Sequence, residues 1–442
     1  MLNETHRPDL RSWVASANDG ATDFPVQNLP YGVFRRRGSD EAWRVGVAIG
    51  RMILDVAAAS AAGLLDDDAG QAARTCASPS LNGLMSLGAP SWSALRRALS
   101  ELLRADTETG RSAQAVAPSL LVSQHDAELR LPAHVSDYTD FYASVFHATN
   151  VGAMFRPDNP LLPNYKWVPI GYHGRASSLV VSGTPVVRPH GQLGSDDGGA
   201  PTVAPSRRLD YEAELALFVG PGNSLGRVIP IEDAQEHLFG IALLNDWSAR
   251  DVQAWEYQPL GPFLAKNFAT SLSPWVVTFE ALAPYRVPAF ARADGDPAPL
   301  PYLADATDQS RGGLDVWIEV WLRTARMRED DAQAVRLSRG NARELYWTMA
   351  QLLAHHASNG CNLQPGDVLG SGTISGPAKD SRGCLLELTW RGTEPVTLPN
   401  GELRRFLEDG DEVILRGSCE RAGYARLGLG ECRGVVQPAI TL

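Results

Sequence analysis

Long apolar runs are missing from this chain. No stretch approaches the roughly 18 uninterrupted apolar residues that mark a membrane-spanning helix, and the first 30 residues lack a basic start followed by an apolar segment. A soluble, cytoplasmic protein is therefore expected. Cysteine is scarce. Cys76, Cys361, Cys384, Cys419 and Cys432 are odd in number and show no C-x-x-C spacing, which argues against a disulfide framework and a thiolate zinc site. They read as free thiols in a reducing compartment. Positive charge is outweighed, with 40 Lys and Arg against 51 Asp and Glu and a net charge of -11. With no long basic block, nucleic acid and anionic membranes are excluded as expected partners. An acidic substrate would need local cations. Internal repeats and low-complexity tracts are also absent.

What is present is globular. The 442 residues are 44% hydrophobic and 21% charged, enough for two or three domains and a core that can enclose polar sites. Residues 31–57 read as three short strands with turns at Gly38-Ser39 and Gly50-Arg51, forming a small barrel or sheet. SWSALRRALSELLRA (91–105) sets Leu95, Leu99 and Leu102 at helical spacing. Residues 106–132 read as a polar connector ending in a strand, which divides the chain into expected domains 1–132 and 133–442. The second part is punctuated by Gly and Pro, with β-type runs at 177–183, 213–220, 314–323 and 411–417. Helices are expected near 231–240, 248–257 and 341–357. The fold class is thus mostly β with some α, without repeated βαβ units. GQLGSDDGGAP (191–201) reads as a surface loop or hairpin tip.

Four stretches carry chemistry. In DYTDFYASVFHATNVG (137–152), a helix starting after Asp140 would bring His147 to nearly the same bearing seven residues on. Asp140 could equally be a plain N-cap, with His147 a packing residue. In LDYEAELALFV (209–219), the strand period places Glu212 and Glu214 on one face. Within an apolar sheet that pair requires a cation, whereas on a solvated edge it means nothing. In GIALLNDWSARDVQAWEYQPLGPFLAKNFAT (240–270), a strand ends at Asn245-Asp246, and Arg250, Gln253 and Tyr257 recur at i, i+3 and i+7. A helix cap followed by a solvated face is the alternative there. Lys266, in an apolar setting, needs a partner. Asp140, Glu212, Glu214 and Asp246 form an oxygen-only set that suits Mg²⁺ or Ca²⁺ and disfavours zinc or copper.

In GDVLGSGTISGPAKDSRGCLLELTW (366–390), Thr373 lies in a Gly/Ser-rich turn able to hold a carboxylate or phosphate. Glu387 interrupts what reads as an apolar strand. A buried glutamate needs a partner, and histidine is the most useful one for catalysis, although nothing in these residues alone pairs it with His147. His355 and His356 read as packing or capping residues of a helix, and His173 as a loop residue beside Tyr172 and Arg175.

Together with LLPNYKWVPIGYHGRASSLVVSGTP and HHASNGCNLQPGDVLGSGTISG, these blocks resemble the fumarylacetoacetase family of fumarylacetoacetate hydrolases, in order from about residue 30 onward. The resemblance implies a small SH3-like N-terminal barrel domain, a mixed β-roll C-terminal catalytic domain and a homodimer. It implies hydrolysis of the carbon–carbon bond of 4-fumarylacetoacetate to fumarate and acetoacetate, the last step of tyrosine and phenylalanine degradation. By position, Asp140, Glu212, Glu214 and Asp246 would ligate Mg²⁺ or Ca²⁺, with Lys266 and Thr270 beside them. His147 would be the general base, oriented by Glu387, and Arg250, Gln253 and Lys266 would face the oxyanion. Tyr142, Arg156, Tyr172, Gln253, Tyr257 and Thr373 would bind substrate. Departures from the family pattern fall in the 191–206 loop and the N-terminal tail. Two other readings stay open: an acylpyruvate hydrolase or oxo-acid decarboxylase of the same superfamily, and a metal-stabilised binding protein without activity.

Overall fold

The computed structural model describes residues 2–195 and 198–441. Near the N terminus, Tyr31–Arg36, Arg44–Ile49 and Met52–Asp55 form the three strands read from sequence. The link between the last two is a two-residue turn, with Ile49 opposite Met52. Gly50 supplies the left-handed backbone (φ 55°) that such a turn demands. The sheet gains two strands, Leu121–Ser123 and Ala127–Arg130, and runs antiparallel throughout. The stretch 106–132 is therefore more than a polar connector. It holds helices Glu108–Ala115 and Ala117–Leu120 as well as both edge strands of this sheet.

The helix Ala89–Leu103 buries Leu95, Leu99 and Leu102 completely, on the face that their spacing defines. Gly88 precedes it and Pro90 occupies its first turn, where a missing amide hydrogen costs nothing. Trp92 from this helix meets Phe239 of the larger sheet edge-on at 5.1 Å.

That larger sheet positions the site. In spatial order it contains Gly171–Gly174, Tyr138–Phe141, Val368–Gly370, Ala213–Val219, Leu238–Asp246, Thr270–Leu272 and Leu179–Val181. The contacts Val368–Gly370 with Tyr138–Phe141, and Thr270–Leu272 with Leu179–Val181, are parallel. The other neighbours are antiparallel. The strands Ala213–Val219 and Leu238–Asp246 are buried along their whole length, so apolar side chains occupy both faces. A second sheet contains Val335–Asn341, Trp317–Arg323, Glu412–Cys419, Leu427–Gln437 and Val186–Val187. Leu215, Leu217, Leu243, Ile318, Val320, Val413 and Leu415 join the two sheets in one core. This is the mixed β-roll architecture expected, alongside the smaller N-terminal sheet.

Several local expectations change. Residues 231–240 contain only a short 3₁₀ turn, Ala234–His237, before the strand Leu238–Asp246 begins. The helix near 248–257 is Arg250–Glu256, after a two-residue strand. That near 341–357 is Met349–Ala357, capped by Thr348 and Gln351. Residues 190–205 form the expected hairpin, His190–Leu193 against Thr202–Pro205; Asp196 and Asp197 at its tip lie outside the described residues. No helix among the described residues is long and apolar enough to cross a membrane.

Candidate active site

Strand ends bring the acids together. Asp140 lies in the strand Tyr138–Phe141, beside Gly370 on one side and Tyr172 on the other. Glu214 belongs to the strand Ala213–Val219, Glu212 immediately precedes it, and Asp246 ends the neighbouring strand opposite Thr270. All four acids are buried. Asp140 therefore does not share a helix face with His147, nor does it cap the helix. The helix is Val145–Phe155, its N-cap is Ser144, and His147 sits in its first turn. Both residues line one cavity, because the strand Tyr138–Phe141 leads into the helix Val145–Phe155 after three residues.

Asp140, Glu214 and Asp246 offer oxygens that all lie within 4.8 Å of one another. Burial, then the charge of Asp246, pushes the Asp140 carboxyl well above its ordinary range. Burial and the charges of Asp140, Asp246 and Glu212 do the same to Glu214. Burial raises Asp246 too, opposed by Lys266. Three acids in this state need protons or a cation. The space suits a cation: Glu214 Oε1 has no hydrogen-bond partner among the described residues, and a Cβ at Gly370 would lie 2.3 Å from Asp140 Oδ1. A set of hard oxygen donors fits Mg²⁺ or Ca²⁺.

Glu212 stands apart from the other three, because both its oxygens already meet cations. Lys266 Nζ contacts Oε2, and Arg250 Nη1 lies 2.7 Å from Oε1. Burial favours the neutral acid, but Lys266 and Arg250 outweigh it and hold the group below the usual carboxylate range. Lys266 also reaches Asp246 Oδ2 at 2.5 Å. The tyrosine hydroxyl of Tyr172 donates to that same oxygen at 2.8 Å, and Thr270 Oγ1 donates to Oδ1 at 3.2 Å. The partner that buried Lys266 requires is thus a pair of carboxylates, which raise its pKa against the opposing effect of burial.

Glu387 is fully buried on a single helical turn, Leu385–Leu388, rather than on the strand its sequence suggested. Its Oε2 lies 2.6 Å from His147 Nδ1. Asn150 Nδ2 donates to Oε1 at 2.8 Å, and Ser375 Oγ and Cys384 Sγ contact Oε2 at 2.8 and 3.1 Å. Burial alone would neutralise this carboxyl; the charge and hydrogen bond of His147, with Asn150 and Ser375, bring it down to about 2. An ionised glutamate on Nδ1 leaves Nε2 of His147 free to face the cavity. That nitrogen is 3.9 Å from Glu212 Oε1.

The cavity has a volume of about 580 Å³, enough for a small organic acid. Asp140, Tyr142, His147, Arg156, Tyr172, Glu212, Glu214, Arg250, Gln253, Tyr257, Lys266 and Thr373 line it. Asp246, Thr270 and Glu387 stand behind this wall, reached through Tyr172, Lys266 and His147. Its far side is apolar, with Val151, Phe155, Leu162, Leu260 and Leu386. Arg250 Nη2, Arg156 Nε and Thr373 Oγ1 are buried without a hydrogen-bond partner among the described residues. Such donors await an oxygen-rich ligand. His355 and His356 lie elsewhere: His356 Nε2 is 2.9 Å from Thr139 Oγ1, and His355 contacts Tyr302.

Asn150, Ser375 and Asp210 were not singled out from sequence. Asn150 was detectable in principle, since it lies one helical turn beyond His147. Ser375 belongs to the same Gly/Ser loop as Thr373, and Asp210 sits two residues before Glu212 on a strand period.

Fold and site together define an enzyme of the mixed-β class whose buried acids, base and cations converge on one small-molecule cavity. Residues 27–132 match the family described as Fumarylacetoacetase N-terminal, and residues 137–437 match Fumarylacetoacetate (FAA) hydrolase C-terminal. The chain belongs to the fumarylacetoacetate hydrolase family. It is 47% identical to the fumarylacetoacetase of Oryza sativa subsp. japonica, covering 99% of this chain and 100% of that protein. The corresponding protein of Bos taurus is 49% identical, over 97% of this chain and 99% of its own length. That of Caenorhabditis elegans is 50% identical, over 95% and 97%.

Proposed function

We propose that this protein hydrolyses the carbon–carbon bond of 4-fumarylacetoacetate to fumarate and acetoacetate, the closing step of tyrosine and phenylalanine breakdown. Near-complete coverage of relatives named fumarylacetoacetase supports the reaction and leaves acylpyruvate hydrolysis, oxo-acid decarboxylation and inert binding without favour. The observation that carries the chemistry is the ionised Glu387 on His147 Nδ1, set beside buried donors that have no hydrogen-bond partner among the described residues.

The reaction has two difficulties: water is a weak nucleophile and the leaving group is a carbanion. His147 Nε2 takes a proton from water as it attacks the carbonyl next to the scissile bond, and Glu387 stabilises the imidazolium that results. Arg250, Gln253 and Lys266 stabilise the oxyanion, each donor worth roughly 2 to 4 kcal/mol by analogy with other oxyanion sites. Asp140, Glu214 and Asp246 would hold the divalent cation, with Glu212 joining them if Lys266 or Arg250 gives up one of its oxygens, and with Lys266 and Thr270 alongside. When bound there, Mg²⁺ or Ca²⁺ supplies Lewis-acid stabilisation of negative charge on the diketone oxygens. Tyr142, Arg156, Tyr172, Tyr257 and Thr373 bind the remaining oxygens of the substrate. Residues 1–132 and 133–442 are the two domains, the functional unit is a homodimer, and the protein works in the cytoplasm.

His147→Ala tests the base. Turnover should fall by about 10²- to 10⁴-fold, the range for losing a general base, while cation binding measured by calorimetry is retained. Turnover near the parent value would remove His147 from this role.

A further inference from the structure

Asp210 lies outside the cavity lining and is fully buried, yet it touches both halves of the catalytic apparatus. It sits in the two-residue strand Leu209–Asp210, opposite Ser248 and two residues from Arg250. Its Oδ2 accepts Arg250 Nε at 2.9 Å and the Leu386 amide at 2.9 Å. Its Oδ1 accepts the amides of Leu385 and Tyr211 at 2.8 and 2.9 Å. The Leu385 and Leu386 amides are the first two of the turn that carries Glu387, donors that no bond within the turn can satisfy.

We infer that Asp210 is a positioning residue, fixing the direction of Arg250 and the placement of the Glu387 turn with one carboxylate. Asp210 holds Nε, while Glu212 and Gln253 hold Nη1 at 2.7 and 3.1 Å. Nη2 is the nitrogen left without a partner among the described residues, and it belongs to a residue that lines the cavity. A planar guanidinium gripped on two nitrogens cannot rotate, so the third is aimed in advance. On the Glu387 side, the same carboxylate anchors the start of a four-residue turn too short to hold itself. That turn carries the glutamate which orients His147. Oxyanion donor and base are thereby referred to a single fixed point. This rests on the roles proposed above for Arg250 and Glu387.

Asp210→Asn keeps the shape and one acceptor, but its amide group would meet Arg250 Nε and the Leu386 amide, donor against donor. With the purified, cation-loaded protein and 4-fumarylacetoacetate, kcat should fall by about 10²-fold, the cost of a roughly 1 Å misplacement. KM should change little, because transition-state alignment is lost rather than ground-state binding. On an Arg250→Gln background the same substitution should cost less than about tenfold, since residues acting as a unit are not additive. Formate added to Asp210→Ala, where it can replace the deleted carboxylate, should restore kcat without moving the melting temperature. A folded Asp210→Asn with parental kcat, or a full additive loss on the Arg250→Gln background, would overturn the assignment. So would an Asp210→Ala that stays unfolded with formate present, which would make Asp210 a folding residue. An inactive parent protein would instead refute the reading of the site itself.

Discussion

Removing the negative charge of Glu214 should stabilise the cation-free protein, the reverse of what deleting a buried polar group usually does. Its carboxylate, with those of Asp140 and Asp246, belongs to a group whose oxygens lie within 4.8 Å of one another. At an effective dielectric constant of about 20, each ionised pair at that distance repels by roughly 3.5 kcal/mol. Asp246 is offset by Lys266 at 2.5 Å. Glu214 has no cation beside it: its Oε2 accepts the Gly372 amide at 3.1 Å, and its Oε1 has no hydrogen-bond partner among the described residues. Protonation relieves this repulsion at a cost, because burial and the neighbouring charges raise the group well above its ordinary range. Glu214→Gln should therefore gain about 1 to 3 kcal/mol without cation, a fraction of the repulsion of one ionised pair. With cation the order reverses. A ligand at 100 times its dissociation constant adds about 2.7 kcal/mol to the parent protein, and the variant should lose most of that gain. Differential scanning calorimetry in EDTA and in saturating Mg²⁺ or Ca²⁺ measures both arms. If Glu214→Gln melts lower than the parent in EDTA and gains equally from cation, the three acids are not a repulsive cation site.

Two further outcomes follow from the same geometry. Glu387→Gln should lower kcat by about 10²- to 10⁴-fold, the range for disturbing a base and its orienting acid. It should also flatten the acid limb of stability: a carboxyl held at about 2 against an ordinary 4.5 stabilises the fold above pH 4.5 and loses that contribution as pH falls toward 2. Unfolding midpoints of parent and variant between those pH values test this, and equal slopes would contradict it. Gly370→Ala places a methyl group 2.3 Å from Asp140 Oδ1. Cation affinity should drop at least tenfold by calorimetry while the melting temperature in EDTA stays near the parent value. Unchanged affinity would show that Asp140 is not a ligand.

Much of the site could be read in sequence because β-strand geometry is local. Glu212 and Glu214 face the same way since the side-chain period is two, and the structure places both at the cavity. Arg250 and Gln253 were readable as one helical stripe, and they are hydrogen-bonded at 3.1 Å. The errors arose where a distant partner decides local structure. CLLELTW has strand composition, yet Asp210, some 175 residues away, takes the first amides of a helical turn there. Asp140 and His147 line one cavity without sharing a helix face: Ser144 starts the helix, and Asp140 stays in a strand because Gly370 and Tyr172 flank it. Residues 238–240 read as helix because a short apolar run carries no period of its own. Between Ala213–Val219 and Thr270–Leu272 it is strand.

The most direct measurement strips the purified protein of metal and follows the absorbance of 4-fumarylacetoacetate, with and without added Mg²⁺ or Ca²⁺. The stripped protein should show negligible loss, and added cation should restore cleavage to equal amounts of fumarate and acetoacetate. Intact substrate with folded, cation-loaded protein would contradict the reaction, and undiminished cleavage by the stripped protein would contradict the role given to the carboxylates.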